Sequence, residues 1–287
     1  MIKLFVSDLD GTLFNPGSQL ESETIRAIRR FQKLGGIFMV ATGRNGWECE
    51  QIKSNIDNVV YNCANGGIIY DADDNPVLSF FLDDQTIINM AELAREYNGL
   101  IEFHGITMSY SINDKDSFIQ RAYDYMNERY GEEKADLIYK RVYAAKKIKF
   151  GCDVKDIVKE KIIKLELAFV TDEDHDHLYE ECKRRFTDDN VVNGGFMNNI
   201  ELTSKEADKG MMILRYCKLN GIAEDEVAVV GDSGNDVSML KLFKNSYVVA
   251  NGSDEAKEVA NNIIESNSDF GVARLLDRIC DDITGTN

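Results

Sequence analysis

Apolar residues in the first third of the chain come in short compact runs separated by a helix-spaced stretch. Ile2-Lys3-Leu4-Phe5-Val6 and Ile37-Phe38-Met39-Val40-Ala41 are runs rich in strand formers. Between them Ile25, Ile28, Phe31 and Leu34 recur every three residues after Ser22, a residue suited to capping a helix, and Gly35-Gly36 stops it. Strands apolar on both faces and joined by a helix predict a parallel sheet covered by helices. Val59-Val60-Tyr61 reads as another strand, and the runs at 68–70 and 77–82 flank Asp73-Asp74-Asn75-Pro76 as a hairpin. After residue 195 the same style returns. A helix over 209–220 ends at Gly221, strands fall at 227–230 and 247–250, and helices over 254–261 and 272–283 close the chain.

Residues 83–194 follow a different pattern. Helices are predicted over 84–98, 117–130 and 174–186, and strands over 100–104, 106–111, 162–167 and 191–192. Ile162-Ile163-Lys164-Leu165-Glu166-Leu167 alternates as a strand with one wet face does. The expected fold class is therefore α/β, a Rossmann-like doubly wound parallel sheet built from residues 1–82 and 195–287, interrupted by an α+β insert over 83–194. Two domains also suit a chain of 287 residues, at roughly 150 residues per domain.

Composition narrows the partners. Fifty acidic residues against 33 basic ones give a formal net charge of −17, which disfavours nucleic acid and anionic membranes, since both need a basic face. A small phosphorylated substrate responds to local charge and stays admissible. No apolar stretch approaches the ~18 residues of a membrane span, and the run at 2–6 is too short for a signal peptide, with Asp8 and Asp10 following at once. Six scattered cysteines without a C-x-x-C pair suggest thiols in a reduced, cytoplasmic setting. His104, His175 and His177 make a poor zinc set, because residues two apart on a helix face different ways. No obligate protein partner is evident.

Four polar clusters carry the candidate chemistry. Asp8-Leu9-Asp10-Gly11-Thr12 follows the first strand, where open α/β sheets bind ligands. Its glycine spacing is not that of a calcium-binding helix–loop–helix. Thr42-Gly43-Arg44 follows the second strand and offers a hydroxyl and accessible amides to a phosphoryl group. Lys209-Gly210 opens a helix, where a cation runs against the usual preference unless an anion is near. Gly231-Asp232-Ser233-Gly234-Asn235-Asp236 again puts carboxylates after a buried strand. Each alone reads as a turn or a surface residue. Together, the acids Asp8, Asp10, Asp232 and Asp236 would repel one another unless a divalent cation balanced them.

These four ordered segments resemble the motifs of the haloacid dehalogenase superfamily, and the insert is similar to the class IIB cap of its Cof-type phosphatases. Asn65-Gly66-Gly67 resembles that group's Asn-Gly-Ala, while Ala250-Asn251-Gly252 stands where the family often has Gly-Asn-Ala. The resemblance implies an Mg²⁺-dependent phosphatase acting on small phosphate monoesters, sugar phosphates first, through an aspartyl-phosphate. It implies Asp8 as nucleophile, Asp10 as general acid and base, and Lys209 as a charge-stabilising catalytic group. The metal set is Asp8, Asp10 (through its carbonyl), Asp232 and Asp236. Thr42, Gly43, Arg44, Asn235 and Asn251 are the phosphate- or substrate-binding candidates. Glu102, His104 and Arg141 in the insert read as surface or packing residues. A phosphosugar mutase and a non-catalytic phosphate-binding module are the alternatives, separated by bisphosphate activation and by phosphate release.

Overall fold

A computed structural model describes residues 1–139, 147–168, 172–186, 190–194 and 199–285. The chain divides into two compact units, one of Met1–Ser79 with Ala207–Asn287 and one of Phe80–Glu206. In chain order, strands β1 Leu4–Ser7, β2 Ile37–Ala41, β3 Val59–Cys63, β4 Ile68–Tyr70 and β5 Pro76–Ser79 begin the first unit. Strands β6 Leu100–His104, β7 Ser109–Tyr110, β8 Ile148–Lys149, β9 Lys164–Ala168, β10 Asn190–Gly194 and β11 Ile200–Ser204 form the inserted one. Strands β12 Val227–Gly231, β13 Asn245–Val249 and β14 Asn262–Ile264 complete the first.

The first unit holds one eight-stranded sheet in the order β14-β13-β12-β1-β2-β3-β4-β5. Its pairs from β14 to β3 are parallel, and the hairpins β3–β4 and β4–β5 are antiparallel. The strand order reverses beside β1, with β2 and β3 on one side and β12 to β14 on the other. That reversal is where a doubly wound sheet opens a crevice at its carboxyl edge. The core explains the apolar runs: Phe5 stacks on Phe38 at 6.0 Å between ring centres, and Phe31 meets Phe5 edge-on at 6.1 Å.

Helix Ser22–Lys33 buries Thr24, Ala27, Ile28 and Phe31. The expected stripe is corrected at its flanks, where Leu34 is 39% exposed and Ile25 half-buried. A strict three-residue spacing drifts around a helix of 3.6 residues per turn, so its outer members leave the buried face. Glu21 rather than Ser22 holds the N-cap position.

The inserted unit is a six-stranded sheet in the order β10-β11-β9-β6-β7-β8, antiparallel except for β7–β8. One face carries Ile101, Phe103, Leu165, Leu167, Ile200 and Leu202. They pack against Met90 and Ala94 of helix Asp84–Glu96 and Leu178 of helix Asp172–Phe186. On the opposite face Leu100 and Ala168 meet Phe118, Ala122 and Met126 of helix Lys115–Tyr130.

The second boundary moves from residue 195 to Ala207, because β11 pairs with both β9 and β10 and belongs to the inserted sheet. The first moves from 82 to Ser79. Short elements escaped the pattern: helix Val237–Leu242, helix Val154–Ile157 and strand β14 are each too brief to show a period.

Candidate active site

Three adjacent parallel strands, β12, β1 and β2, deliver the first polar residues at their carboxyl ends. Asp8 follows β1 and is anchored by its amide, which donates to Val230 O at 3.0 Å. The chain then winds through Leu9–Leu13, with Gly11 at φ +83°. Only glycine fits there, since a Cβ would stand 2.5 Å from Asp232 Oδ2 as well as taking a left-handed backbone. Thr12 Oγ1 donates to Asp232 Oδ1 at 2.8 Å and fixes that carboxylate beside the Asp8 loop.

Lys209 enters from the start of helix Lys209–Asn220, whose N-cap Asp208 accepts from Met211 N at 2.7 Å. Its side chain is fully buried and its Nζ bridges Asp8 Oδ1 at 2.8 Å and Asp236 Oδ1 at 2.7 Å. These are the anions that the unusual lysine at a helix start required. Asp236 directs its other oxygen, Oδ2, to the amides of Asp232 at 2.9 Å and Ser233 at 3.2 Å. Both its oxygens are thus engaged within the protein, so it orders the loop and the lysine.

Among the described residues, carboxylate oxygens of Asp8, Asp232 and Asp236 lie within 4.8 Å of one another. Burial pushes the Asp8 carboxyl well above its usual range, and Asp236 and Asp232 add to it against the pull of Lys209. Burial, and then Asp236, raise Asp232 to about 6. Burial alone would lower Lys209, but Asp236 and Asp8 outweigh it and hold the ammonium charged. Three carboxylates against one ammonium leave a surplus that one divalent cation would balance. Hard oxygen donors of this kind suit Mg²⁺ or Ca²⁺, with Asp8 and Asp232 left to ligate.

The ring around this cluster is held by amides. Thr42 Oγ1 accepts from Arg44 N at 3.1 Å, which leaves its hydroxyl hydrogen to donate. Asn65 N donates to Thr42 O at 3.0 Å, and Asn235 Nδ2 donates to Asn65 Oδ1 at 3.2 Å, linking the loops after β3 and β12. A Cβ on Gly43 would stand 3.0 Å from Asn65 Oδ1, so this loop packs close. Asn251 has both ends of its amide engaged: Nδ2 donates to Gly11 O at 2.8 Å and Oδ1 accepts from Asn267 N at 2.9 Å.

A family model described as haloacid dehalogenase-like hydrolase matches residues 5–276. The chain belongs to the haloacid dehalogenase-like hydrolases. It is 25% identical over 285 residues to the 5-amino-6-(5-phospho-D-ribitylamino)uracil phosphatase YwtE of Bacillus subtilis, across 97% of this chain and 98% of that protein. It is also 25% identical to the phosphatase YwpJ of the same organism, across 96% and 99%. The structure of a haloacid dehalogenase-like hydrolase from B. subtilis superposes with a TM-score of 0.80 at 21% identity, covering 97% of this chain and all of that one. The family is that of the Cof-type phosphatases, and the chain is a phosphoric monoester hydrolase of that group.

One expectation changes in this hydrolase. Four acids were expected to converge, but the Asp10 carboxylate turns outward to Arg44. Arg44 Nε and Nη2 reach Asp10 Oδ2 at 2.7 Å and Oδ1 at 2.6 Å, with the guanidinium 5.2 Å over the Phe14 ring. A planar fork matches a carboxylate bidentately, which explains the choice of partner. Burial weakens the basicity of Arg44, but Asp10 outweighs it and raises its pKa. Glu102 and His104 prove buried, at 3% and 1% exposure, and Arg141 lies outside the described residues.

Thr12 and Asn62 contribute without having been singled out for a role. Asn62 is fully buried in β3, and its Nδ2 donates to Lys209 O at 3.1 Å. Its only signal was a polar residue inside the apolar run Val59-Val60-Tyr61-Asn62-Cys63, which needs a partner when buried.

Proposed function

We propose that this hydrolase cleaves small phosphate monoesters, sugar phosphates first, with Mg²⁺ as its divalent cation and an aspartyl-phosphate at Asp8. The observation that supports this most is the fully buried Lys209 bridging Asp8 and Asp236 beside Asp232. Such a cluster is unfavourable for stability and suited to a dianionic ligand paired with a dication.

An oxygen of Asp8 forms a bond to phosphorus while the bond from phosphorus to the leaving oxygen breaks. Asp10 gives its proton to that departing oxygen. Asp10 then takes a proton from a water whose oxygen attacks phosphorus, the bond to Asp8 breaks, and inorganic phosphate leaves. For either step Asp10 must exchange Arg44 for the substrate. Arg44 is then released toward the substrate, the role it was assigned from sequence. The Thr42 hydroxyl, the Lys209 ammonium and the amides of Leu9 and Gly43 share the phosphoryl charge.

Mg²⁺ would be held by the carboxylates of Asp8 and Asp232 and the carbonyl of Asp10, and when bound it supplies positive charge to the phosphoryl oxygens. Asp236 and Asn235 hold Lys209 and the neighbouring loop. Asn251 holds the Gly11 turn, so it positions the nucleophile loop without touching phosphate. The inserted unit chooses the organic part of the substrate. The substrate named for YwtE belongs in the test panel beside sugar phosphates. All six cysteines are free thiols, which supports a reduced, cytoplasmic setting, and no helix among the described residues is long and apolar enough to cross a membrane.

The experiment is a panel of phosphate monoesters assayed for released phosphate with Mg²⁺ and with excess chelator. Release from at least one ester that stops on chelation is expected. Release unaffected by chelator contradicts the metal assignment, and no release from any ester contradicts the activity.

A further inference from the structure

Asn62 joins two of the groups assigned to the phosphoryl oxygens. It lies one residue before the end of β3 and is fully buried. Its main-chain carbonyl accepts from Thr42 N at 2.8 Å, and its side-chain Nδ2 donates to Lys209 O at 3.1 Å. One residue thus holds the Thr42 loop through its main chain and the start of helix Lys209–Asn220 through its amide. The loop after β3 approaches that helix start closely as well, since a Cβ on Gly66 would stand 2.5 Å from Asp208 C.

The bond to Lys209 O answers nothing that the helix leaves open. The first amides of a helix lack partners within it. Here Gly210 N donates to Ser238 Oγ at 3.2 Å and Met211 N to Asp208 Oδ1 at 2.7 Å. Carbonyls of the first turn are answered by amides one turn further on, so Asn62 Nδ2 is an extra donor on the second lone pair of Lys209 O. The amide is not itself satisfied: Asn62 Oδ1 is buried and has no donor among the described residues. An unanswered buried acceptor is unfavourable, and a leucine of nearly the same shape would avoid it. A side chain that serves neither the helix nor its own oxygen, yet grips the residue bridging Asp8 and Asp236, points to a use at the site.

We infer that Asn62 is a positioning residue for phosphoryl transfer, whose amide fixes the main chain of Lys209 and so sets where the ammonium stands. This rests on the phosphatase reading above and on the charge-sharing role given there to Lys209. Lys209 Nζ lies 2.8 Å from Asp8 Oδ1 and 2.7 Å from Asp236 Oδ1. A long side chain can keep both bonds through a small shift of its main chain. Such a shift changes how the ammonium meets the phosphoryl oxygens, and a misplacement of about 1 Å can cost about 100-fold in rate. Asn62 acts through Lys209 and touches neither substrate nor metal.

The test is Asn62→Leu in the full-length protein, assayed with saturating Mg²⁺ on whichever ester of the panel above turns over fastest. The change removes the side-chain donor and the unanswered acceptor together and leaves the main-chain bond to Thr42 in place. The kcat is expected to fall by about 10–100-fold with little change in KM, because the charges that capture the substrate are unaltered. The midpoint of urea unfolding should hold or rise, since an apolar group of the same shape replaces a half-satisfied amide. A residue that merely braced the fold would lower the midpoint along with the rate. If Asn62→Leu fails to fold, Asn62→Val, suited to a strand, carries the same two expectations. A kcat near that of the natural sequence, a rise in KM alone, a lower unfolding midpoint, or failure of both variants to fold overturns the proposal. Absence of phosphate release from every ester by the natural sequence would instead overturn the phosphatase reading, so the two failures are distinguishable.

Discussion

Lys209 holds two buried carboxylates at once, and its removal would leave both without a counter-charge. Lys209→Met should therefore lower stability by about 3–5 kcal/mol, the penalty for breaking a buried pair, as read by urea unfolding. A loss below about 1 kcal/mol would mean that the bridge does not set the charge balance. Asp10 sits differently, exposed and gripped by Arg44. As general acid it matters most when the leaving oxygen is basic. Asp10→Asn should cut kcat by about 10²–10⁴-fold on an alkyl phosphate, and much less in the first burst of p-nitrophenolate, which departs without a proton. Equal losses on both would assign the proton transfer elsewhere. The clustered acids and the oddly placed lysine were legible in sequence because their residue types are uncommon in those local settings. The outward turn of Asp10 was not, since it depends on a fork supplied from a different strand end. The role of Asn62 was not legible for the same reason: its partner is a carbonyl 147 residues away.

At the scale of elements, the site depends on how closely helix Lys209–Asn220 approaches the loop that follows β12. Gly210 lies under the backbone of helix Val237–Leu242, and a Cβ there would meet Ser238 C and O at 2.8 Å. Neither is the flexible end of a side chain, so the helix itself must shift. Gly210→Ala should cost about 1–3 kcal/mol and lower kcat through Lys209, measured by thermal unfolding and steady-state assay. Normal values of both would mean that the helix is free to move without disturbing the bridge. The long elements were readable because their periods repeat: helix Lys209–Asn220 begins and ends where its pattern predicted, closed by Gly221 at φ +65°. Strand β11 was missed because Ile200-Glu201-Leu202 shows only one alternation, and its place was decided by pairing with β9 and β10.

For the whole molecule, the eight-stranded sheet and its inserted neighbour follow from the runs and spacings, but their boundary follows from strand pairing. Charge at the site should appear as a property of overall stability. Asp232, raised to about 6 by burial and then by Asp236, binds its proton more tightly folded than unfolded. Its contribution therefore favours the folded state at pH 4 and is lost as pH rises through 6. Mg²⁺ should compensate at pH 7.5, raising Tm by binding only the native state, and should do little at pH 5, where protons compete for the carboxylates. Equal Mg²⁺ shifts at both pH values would place the ion elsewhere. The central claim is that Asp8 carries the phosphoryl group, and trapping it is the most direct test. The enzyme is mixed with substrate, quenched during turnover, treated with borohydride and mapped by peptide mass spectrometry. Reduction of an acyl phosphate should convert Asp8, and no other residue, to homoserine. An unmodified Asp8 in an enzyme quenched while releasing phosphate, or homoserine at another aspartate, would contradict the account.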